Sequence, residues 1–170
     1  ASDRTIVLSR PIDAGSASQL TQQFLLLDGE SKQPVRLMLT NAPGGSAEAA
    51  VGVVDVMQQM TAPVTVIAGG TVRGAGLLLL AGASEEHRVA LDNVRFRMEP
   101  PDVERSAREA YEDAADRKKD LERQVVRILA EATGQSGARI RDDLAAHVSF
   151  TADEAIAYGL VHRLISRSDQ

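Results

Sequence analysis

Few residues of this 170-residue sequence have the types and spacing that catalysis or metal binding requires. The absence of cysteine excludes disulfide bonds, thiolate metal sites and a cysteine nucleophile. His87 and His162 are far apart in sequence and have no acidic partners at ligand spacing, so we interpret both as surface residues. The sequence therefore predicts neither a metal site nor a bound cofactor.

Charge and composition exclude several classes of partner. The formal net charge is -5, with 24 acidic against 19 basic residues, whereas nucleic acid and anionic membranes attract clustered basic faces. Aromatic residues make up only 3%, too few for base stacking. The apolar run Leu77–Leu80 is far too short to span a bilayer, and residues 1–10 lack the apolar segment of a signal peptide. We expect no nucleic-acid or membrane partner and a cytoplasmic location.

Strands and helices alternate through the first half of the chain, which favours a single α/β domain, residues 1–170, with right-handed βαβ units and a mainly parallel sheet. The predicted strands are Thr5–Leu8, Val35–Thr40, Val64–Ala68, Arg88–Leu91, Val94–Met98 and Leu160–Ile165. The predicted helices are Ser16–Leu27, Ser46–Met60, one through Leu77–Leu80, Glu104–Ala132 and Ile140–Ala145. Asp28-Gly29 is predicted to stop the first of these. A capping box at Thr151–Glu154 opens a further short helix.

The long helix predicted over Glu104–Ala132 would span about 43 Å at 1.5 Å per residue. Its first half is highly charged, whereas its second half carries an apolar face that includes Leu121, Val125 and Leu129. We predict that the second half packs on a head formed by residues 1–100 and 121–170, and that residues 101–120 project as a handle. An ordinary surface helix with a solvated end fits the periodicity equally well.

Five short motifs, in order and covering nearly the whole chain, resemble the family of the Clp protease proteolytic subunit (ClpP). They are Asn41-Ala42-Pro43-Gly44-Gly45 for the family's Asn-Ser-Pro-Gly-Gly, Met57-Gln58, the hairpin residues Arg88, Leu91, Asn93 and Arg95, Thr133-Gly134-Gln135, and Glu154-Ala155 with Tyr158-Gly159-Leu160-Val161.

This resemblance implies a ClpP/crotonase-like fold of repeated ββα units with a projecting handle helix. It also implies seven-membered rings that stack through the handle and enclose a chamber fed by a hexameric ATPase. The expected partners are further copies of this chain or an active ClpP subunit, with a Clp ATPase reached through that subunit. The compartment would be the cytoplasm, or the plastid stroma in a photosynthetic eukaryote.

The family's catalytic positions carry unsuitable residues here. A gap-free alignment puts Gly74 at the nucleophile, and a one-residue shift puts Arg73 there; neither offers a nucleophilic atom. Thr71, the nearby hydroxyl, has no evident base. Glu99 stands at the position of the histidine base and His147 at that of the aspartate. Because the triad needs all three groups together, the resemblance predicts a chain without peptidase activity.

Two further hypotheses concern this region. Gly44 and Gly45, with Ala75, resemble the family's oxyanion turn, and the alternative is a strand-to-helix turn that needs glycine for structural reasons. Arg73, Glu99 and His147 are predicted to form a buried polar network, since an unpaired buried charge is costly. The alternative is that Arg73 points to solvent.

Other departures weaken family contacts. Ala146 replaces the arginine that links two rings, and Pro100–Arg105 replaces a glycine-rich strand that lines the substrate cleft. The strand and helix end that match the aromatic docking pocket offer only Leu37, Leu39 and Gln59, so direct ATPase docking should be weak.

The resulting hypothesis is a non-catalytic, ClpR-type subunit that joins mixed rings and modulates assembly or activity. One alternative is a hydrolase or acyl-transfer enzyme of the ClpP/crotonase fold that uses a relocated site with Glu99. Another is an inert homo-oligomer that acts as a decoy.

Overall fold

A computed structural model describes residues 3–42 and 44–166. In this part of the chain one sheet has seven strands, and six α-helices accompany it. The strands are β1 (Thr5–Leu8), β2 (Val35–Ala42), β3 (Val64–Arg73), β4 (Arg88–Leu91), β5 (Arg95–Arg97), β6 (Ser149–Thr151) and β7 (Arg163–Ile165). The helices are α1 (Ala14–Glu30), α2 (Ala47–Gln59), α3 (Ala75–Ala81), α4 (Tyr111–Thr133), α5 (Gly137–Ala145) and α6 (Ala152–Tyr158).

The sheet is mainly parallel, which confirms the predicted α/β class. Strands β1, β2, β3, β4 and β7 lie side by side in that order, all parallel. Strand β5 pairs in parallel with the last three residues of β3, and β6 pairs with β5 in the antiparallel direction. Because α1, α2 and α3 connect successive parallel strands, the carboxyl ends of those strands and the amino ends of the following helices meet at one edge.

The core lies between the sheet and these helices. Leu37, Leu39 and Val66 are fully buried on one face of β2 and β3. Every residue of α3 is buried, as an apolar run without polar alternation predicts. The capping box at Thr151 and Glu154 forms as predicted and opens α6. None of the helices in the described residues combines the length and the apolar character needed to cross a membrane.

Several predicted boundaries are wrong, and at two of them tertiary contacts override the local signals. Gly69-Gly70 does not end β3, since β5 pairs with the strand further on, from Thr71 to Arg73. Asp28-Gly29 does not stop α1, which continues to Glu30. There the Arg4 guanidinium donates to the carbonyl of Leu27 at 3.0 Å.

The long helix begins at Tyr111, seven residues later than predicted, and its 23 residues span about 34 Å. Residues 104–110 are irregular. The Arg117 side chain donates to the Glu104 carbonyl at 2.9 Å and to the Glu109 carboxylate at 2.7 Å, and these bonds take the place of helical backbone bonds at Glu104. The second half packs on the core as predicted, with Leu121, Val125 and Leu129 buried. The division into head and handle stays a prediction.

Candidate functional site: a cleft at the end of strand β3

The turn at Gly74 joins the centre of the sheet to α3. Its φ of 54° and ψ of -122° are a conformation that residues with a side chain rarely adopt. The Gly74 amide donates to the carbonyl of Arg97 in β5 at 3.1 Å, and its carbonyl accepts from the Leu77 amide at 3.1 Å. A strained strand-to-helix turn of this kind is the geometry that presents a nucleophile in many hydrolases. Here it presents no side chain.

A side chain at position 74 would enter the space beside Glu99. A Cβ atom built on Gly74 would lie 3.3 Å from Oε2 of Glu99 and 3.6 Å from Cα of Gly44. Arg73 belongs instead to the last position of β3. Of the two positions that the sequence left open, position 74 has its backbone beside Gly44 and Glu99, whereas Arg73 reaches Glu99 with the end of its side chain.

The glycine turn after β2 is held by the connection between β1 and α1. Gly44 and Gly45 have φ values of 97° and 109°. The Ile12 amide donates to the Gly44 carbonyl at 3.0 Å, and the Ser46 amide donates to the Ile12 carbonyl at 2.7 Å. A Cβ on Gly45 would lie only 2.2 Å from the Ile12 carbonyl oxygen. Gly45 therefore has a structural requirement of its own, whatever its amide binds; Pro43 lies outside the described residues.

These turns meet at one cleft of about 220 Å³. It has a polar rim that includes Glu99 and an aliphatic interior. The cleft is lined by Gly44, Gly45, Ala47, Gly74, Ala75, Leu77, Leu78, Glu99, Pro100, Pro101, Asp102, Val125, Leu129 and Leu144. The structure thus brings together four of the predicted positions, Gly44, Gly45, Gly74 and Ala75, with Glu99.

Arg73 and Glu99 form an ion pair, but not the buried one that was predicted. Nη1 of Arg73 lies 3.7 Å from Oε1 of Glu99, and their side chains are 44% and 29% exposed. This separation is too long for a charge-assisted hydrogen bond, which is shorter than about 3 Å. The pair therefore stands at the rim of the cleft in contact with solvent.

His147 is the predicted network member that the structure leaves out. It is exposed and has a φ of 52°. Its backbone approaches Glu99, because the Met98 amide donates to the carbonyl of Val148 at 2.8 Å. The interactions found among the described residues include none of its imidazole with Glu99 or Arg73. The three-residue network is therefore wrong, and its Arg73–Glu99 half is present.

The turn that carries His147 is anchored through α5 and α6. The Tyr158 hydroxyl donates to Oδ2 of Asp143 at 2.6 Å, and the Val148 amide donates to the Asp143 carbonyl at 3.1 Å. Burial raises the pKa of Tyr158 well above its ordinary value, and the Asp143 carboxylate raises it further. Tyr158 is therefore a neutral hydrogen-bond donor at physiological pH and has a structural role.

The other two histidines differ from one another. His162 is exposed, as expected. His87 is half-buried: its Nδ1 lies 2.9 Å from Oγ1 of Thr65 and its Nε2 lies 3.8 Å from Oε1 of Glu86. The interpretation of His87 as a plain surface residue therefore needs correction, since β3 brings Thr65 beside it. In residues 3–42 and 44–166, no group of three or more histidine and acidic side chains is arranged to hold a metal ion.

Sequence reasoning missed Arg117, which links elements around the cleft. Its guanidinium reaches Glu48 in α2 and Glu109 before α4, at 2.9 and 2.7 Å. No motif signals this contact, because Glu48 and Arg117 are 69 positions apart and both residue types are common on helix surfaces.

Comparison with known proteins agrees with this architecture. The family model described as Clp protease matches residues 1–168. The chain belongs to the Clp protease family. It is 33% identical to the ATP-dependent Clp protease proteolytic subunit 2 of Pseudomonas aeruginosa, over 95% of this chain and 81% of that protein. It is also 33% identical to proteolytic subunit 3 of Synechococcus sp. strain CC9902, over 96% of this chain and 83% of that protein.

Solved structures of the same family share the fold. A mutant form of ClpP1 from Listeria monocytogenes superposes with a TM-score of 0.88 at 29% identity, covering 98% of this chain and 94% of that one. ClpP1 from the same organism gives a TM-score of 0.84 at 26% identity, covering 99% and 95%. The predicted ClpP-like fold and family are thus confirmed.

Proposed function

We propose that this Clp protease-family chain is a non-catalytic, ClpR-type subunit. It assembles into rings with copies of itself or with an active ClpP subunit, and it modulates the assembly or activity of those rings. The relatives' names place them in ATP-dependent Clp proteases, which supports a proteolytic complex as the setting. A cytoplasmic or plastid location and contact with a Clp ATPase through the partner subunit stay predictions.

One observation supports the loss of peptidase activity above the others. The strained turn that faces Glu99 and the glycine turn is occupied by Gly74, which has no side chain. Glu99, at the position of the base, is paired with Arg73, and His147, at the position of the orienting group, has an exposed imidazole. Acyl transfer by a serine needs a hydroxyl, a base and an orienting group in hydrogen-bond contact. The cleft supplies the backbone frame without these groups.

The second candidate is a hydrolase or acyl-transfer enzyme that uses Glu99. The observation that favours it is the position of this carboxylate, which lines the same cleft as Gly44, Gly45 and Ala75. A carboxylate beside a turn of backbone donors can act as a general base. Nη1 of Arg73 lies 3.7 Å from Oε1 of Glu99, so a substrate would have to compete with this cation for the carboxylate. For this reason we place this candidate second.

Labelling and mixing experiments separate the candidates. The purified chain is incubated with a fluorophosphonate probe and a fluorogenic peptide, alone and with an active ClpP, and complexes are weighed by native mass spectrometry. We expect no labelling or cleavage by the chain alone, and mixed rings with altered peptidase activity on mixing. Labelling or cleavage by the chain alone would refute the non-catalytic assignment. Homo-oligomers that leave ClpP unaffected would point to an inert decoy.

A variant series tests the proposed positions of the lost triad. The double variant Gly74→Ser and Glu99→His places a hydroxyl beside an imidazole in the cleft and should react with the fluorophosphonate probe. The matched control carries Arg73→Ser in place of Gly74→Ser and should stay unlabelled, because position 73 belongs to β3 and not to the turn. Labelling of the control but not of the first variant would assign the nucleophile position to residue 73.

A further inference from the structure

The Arg117 guanidinium uses its donors on two different parts of the molecule. Nη1 donates to both carboxylate oxygens of Glu48, at 2.9 and 3.0 Å. Nε and Nη2 donate to the two carboxylate oxygens of Glu109, at 2.7 and 2.9 Å, and Nη2 also donates to the Glu104 carbonyl at 2.9 Å. Two bidentate carboxylate contacts on one guanidinium fix its position and direction, which a lysine could not do.

Two of the residues that Arg117 binds, Glu48 and Glu104, line one groove. Glu48 lies in the first turn of α2, directly after the glycine turn. Glu104 and Glu109 belong to residues 101–110, the irregular segment between the cleft and α4, which we call the strap. A groove beside the cleft is lined by Gly45, Ser46, Glu48 and Ala49, by residues 102–104 of the strap, and by residues 11–14 and Ala17 from the start of α1 and the connection before it. Arg117 thus joins two of the three segments that line this groove, the start of α2 and the strap.

We propose that Arg117 is a clasp that holds the strap against α2 and so fixes the width of this groove. Release of the clasp would free residues 104–110 of the strap to move away from α2 and widen the groove at that end, because the Arg117 contacts are at Glu104 and Glu109. The proposal concerns the groove itself and does not depend on whether the chain cuts peptides or joins mixed rings.

Further contacts hold the first residues of the strap in place, so the clasp acts on the residues that follow them. Pro101 is buried, and Val103 packs against the core. Lys118 of α4 lies 3.6 Å from Asp102, and Arg105 donates to the Glu109 carbonyl at 2.7 Å. The hydrogen bonds from Arg117 hold the pKa of Glu109 below its ordinary value, so this carboxylate is charged at neutral pH. Arg117 is the contact that carries the strap across to α2.

Limited proteolysis of the full chain tests the clasp, because Arg105 and Arg108 are exposed trypsin sites within the strap. In Arg117→Gln we expect cleavage after these two arginines to accelerate roughly tenfold or more, since a segment released from its anchors opens locally. Glu48→Gln removes only the charge on the α2 side and should give a smaller acceleration. Hydrogen exchange of amides 103–109, read by mass spectrometry, should rise in the same order.

Arg127→Gln is the matched control, because Arg127 is an exposed arginine of the same helix whose side chain forms no hydrogen bond or ion pair among the described residues. Cleavage after Arg88, which is only 3% exposed, reports global unfolding and should stay slow in every variant. If Arg117→Gln unfolds globally, the rates of strap cleavage in Glu48→Gln and Glu109→Gln test the clasp instead. The proposal would be overturned if the folded clasp variants were cleaved in the strap no faster than the Arg127→Gln control.

Discussion

At the scale of single residues, the decisive feature is the backbone conformation of Gly74. The φ and ψ of this residue let β3 turn directly into α3 while its amide stays bonded to β5. In related hydrolase turns a nucleophile bears this strain and gains exposure from it. Gly74 adopts the conformation at little cost, so the turn is kept although no nucleophile is present.

Replacement of Gly74 by alanine should therefore destabilise the fold. We expect Gly74→Ala to lower the free energy of unfolding by about 1–3 kcal/mol, because a Cβ disfavours this conformation. The measurement is urea denaturation followed by circular dichroism.

Gly29→Ala is the control for that change. Gly29 lies inside α1, and a Cβ there would meet no atom within 4 Å. Alanine should stabilise a helix at such a position by about 0.5–1 kcal/mol. Equal changes in the free energy of unfolding for the two substitutions would contradict the prediction that a Cβ at position 74 strains the backbone.

At the scale of elements, several boundaries depend on side chains that bind the backbone of a distant segment. Asp28, near the end of α1, is an example. Its carboxylate accepts from the Ala62 amide at 2.7 Å and from the Thr61 amide and hydroxyl at 3.0 Å each. These bonds tie α1 to the turn that leads into β3. The helix therefore continues past the Asp-Gly pair that predicts its end.

The Asp28 contacts predict a pH dependence of stability. The hydrogen bond from the Ala62 amide, followed by those from Thr61, lowers the Asp28 pKa below 3.8. A carboxyl group with a lower pKa in the folded chain stabilises the fold above its unfolded pKa, and this contribution is lost as the pH falls through the folded pKa. Asp28→Asn should therefore be less stable than the parent at pH 7, and the difference should narrow below roughly pH 3.9.

Thermal unfolding of both proteins between pH 7 and pH 3 measures this difference. Asp55→Asn is the control, because Asp55 is an exposed carboxylate of α2 with no hydrogen bond among the described residues. A stability difference for Asp28→Asn that stays constant over the whole pH range would contradict the prediction.

At the scale of the whole molecule, some large apolar side chains remain exposed in the single chain. Leu25 and Leu26 on α1 are 56% and 65% exposed, and Val7 on the edge strand β1 is 61% exposed. Exposed apolar side chains on a chain from a ring-forming family are candidates for burial between subunits. Their exposure is in line with assembly as proposed.

A charge on the exposed face of α1 that carries Leu26 should weaken assembly without changing the fold of the single chain. We expect Leu26→Glu to shift the chain towards smaller species, because a buried unpaired carboxylate at an interface is costly. Light scattering coupled to size-exclusion chromatography measures the mass, and circular dichroism checks the fold. Gln58→Glu adds the same charge at an exposed polar position of another helix, α2, and should assemble like the parent. Identical masses for both variants would contradict this prediction.

Much of the architecture could be predicted from the sequence because its determinants are local. The alternation of strands and helices depends on patterns a few residues long, and so does the capping box of Thr151 and Glu154. The family could be recognised because five short motifs keep their order along the chain. The residues around the cleft were found in this way, including Gly44, Gly45 and Glu99.

The tertiary structure decided what depends on contacts between distant segments. Gly74 lines the cleft, whereas Arg73, the last residue that pairs with β5, only reaches its rim through Glu99. Helix α4 begins late because Arg117 binds the residues before it, and the same side chain crosses 69 positions to Glu48. His147 stays outside the Arg73–Glu99 pair because the turn after α5 leaves it exposed. Local patterns specify elements, whereas the partners of a charged side chain are set only when packing brings those elements together.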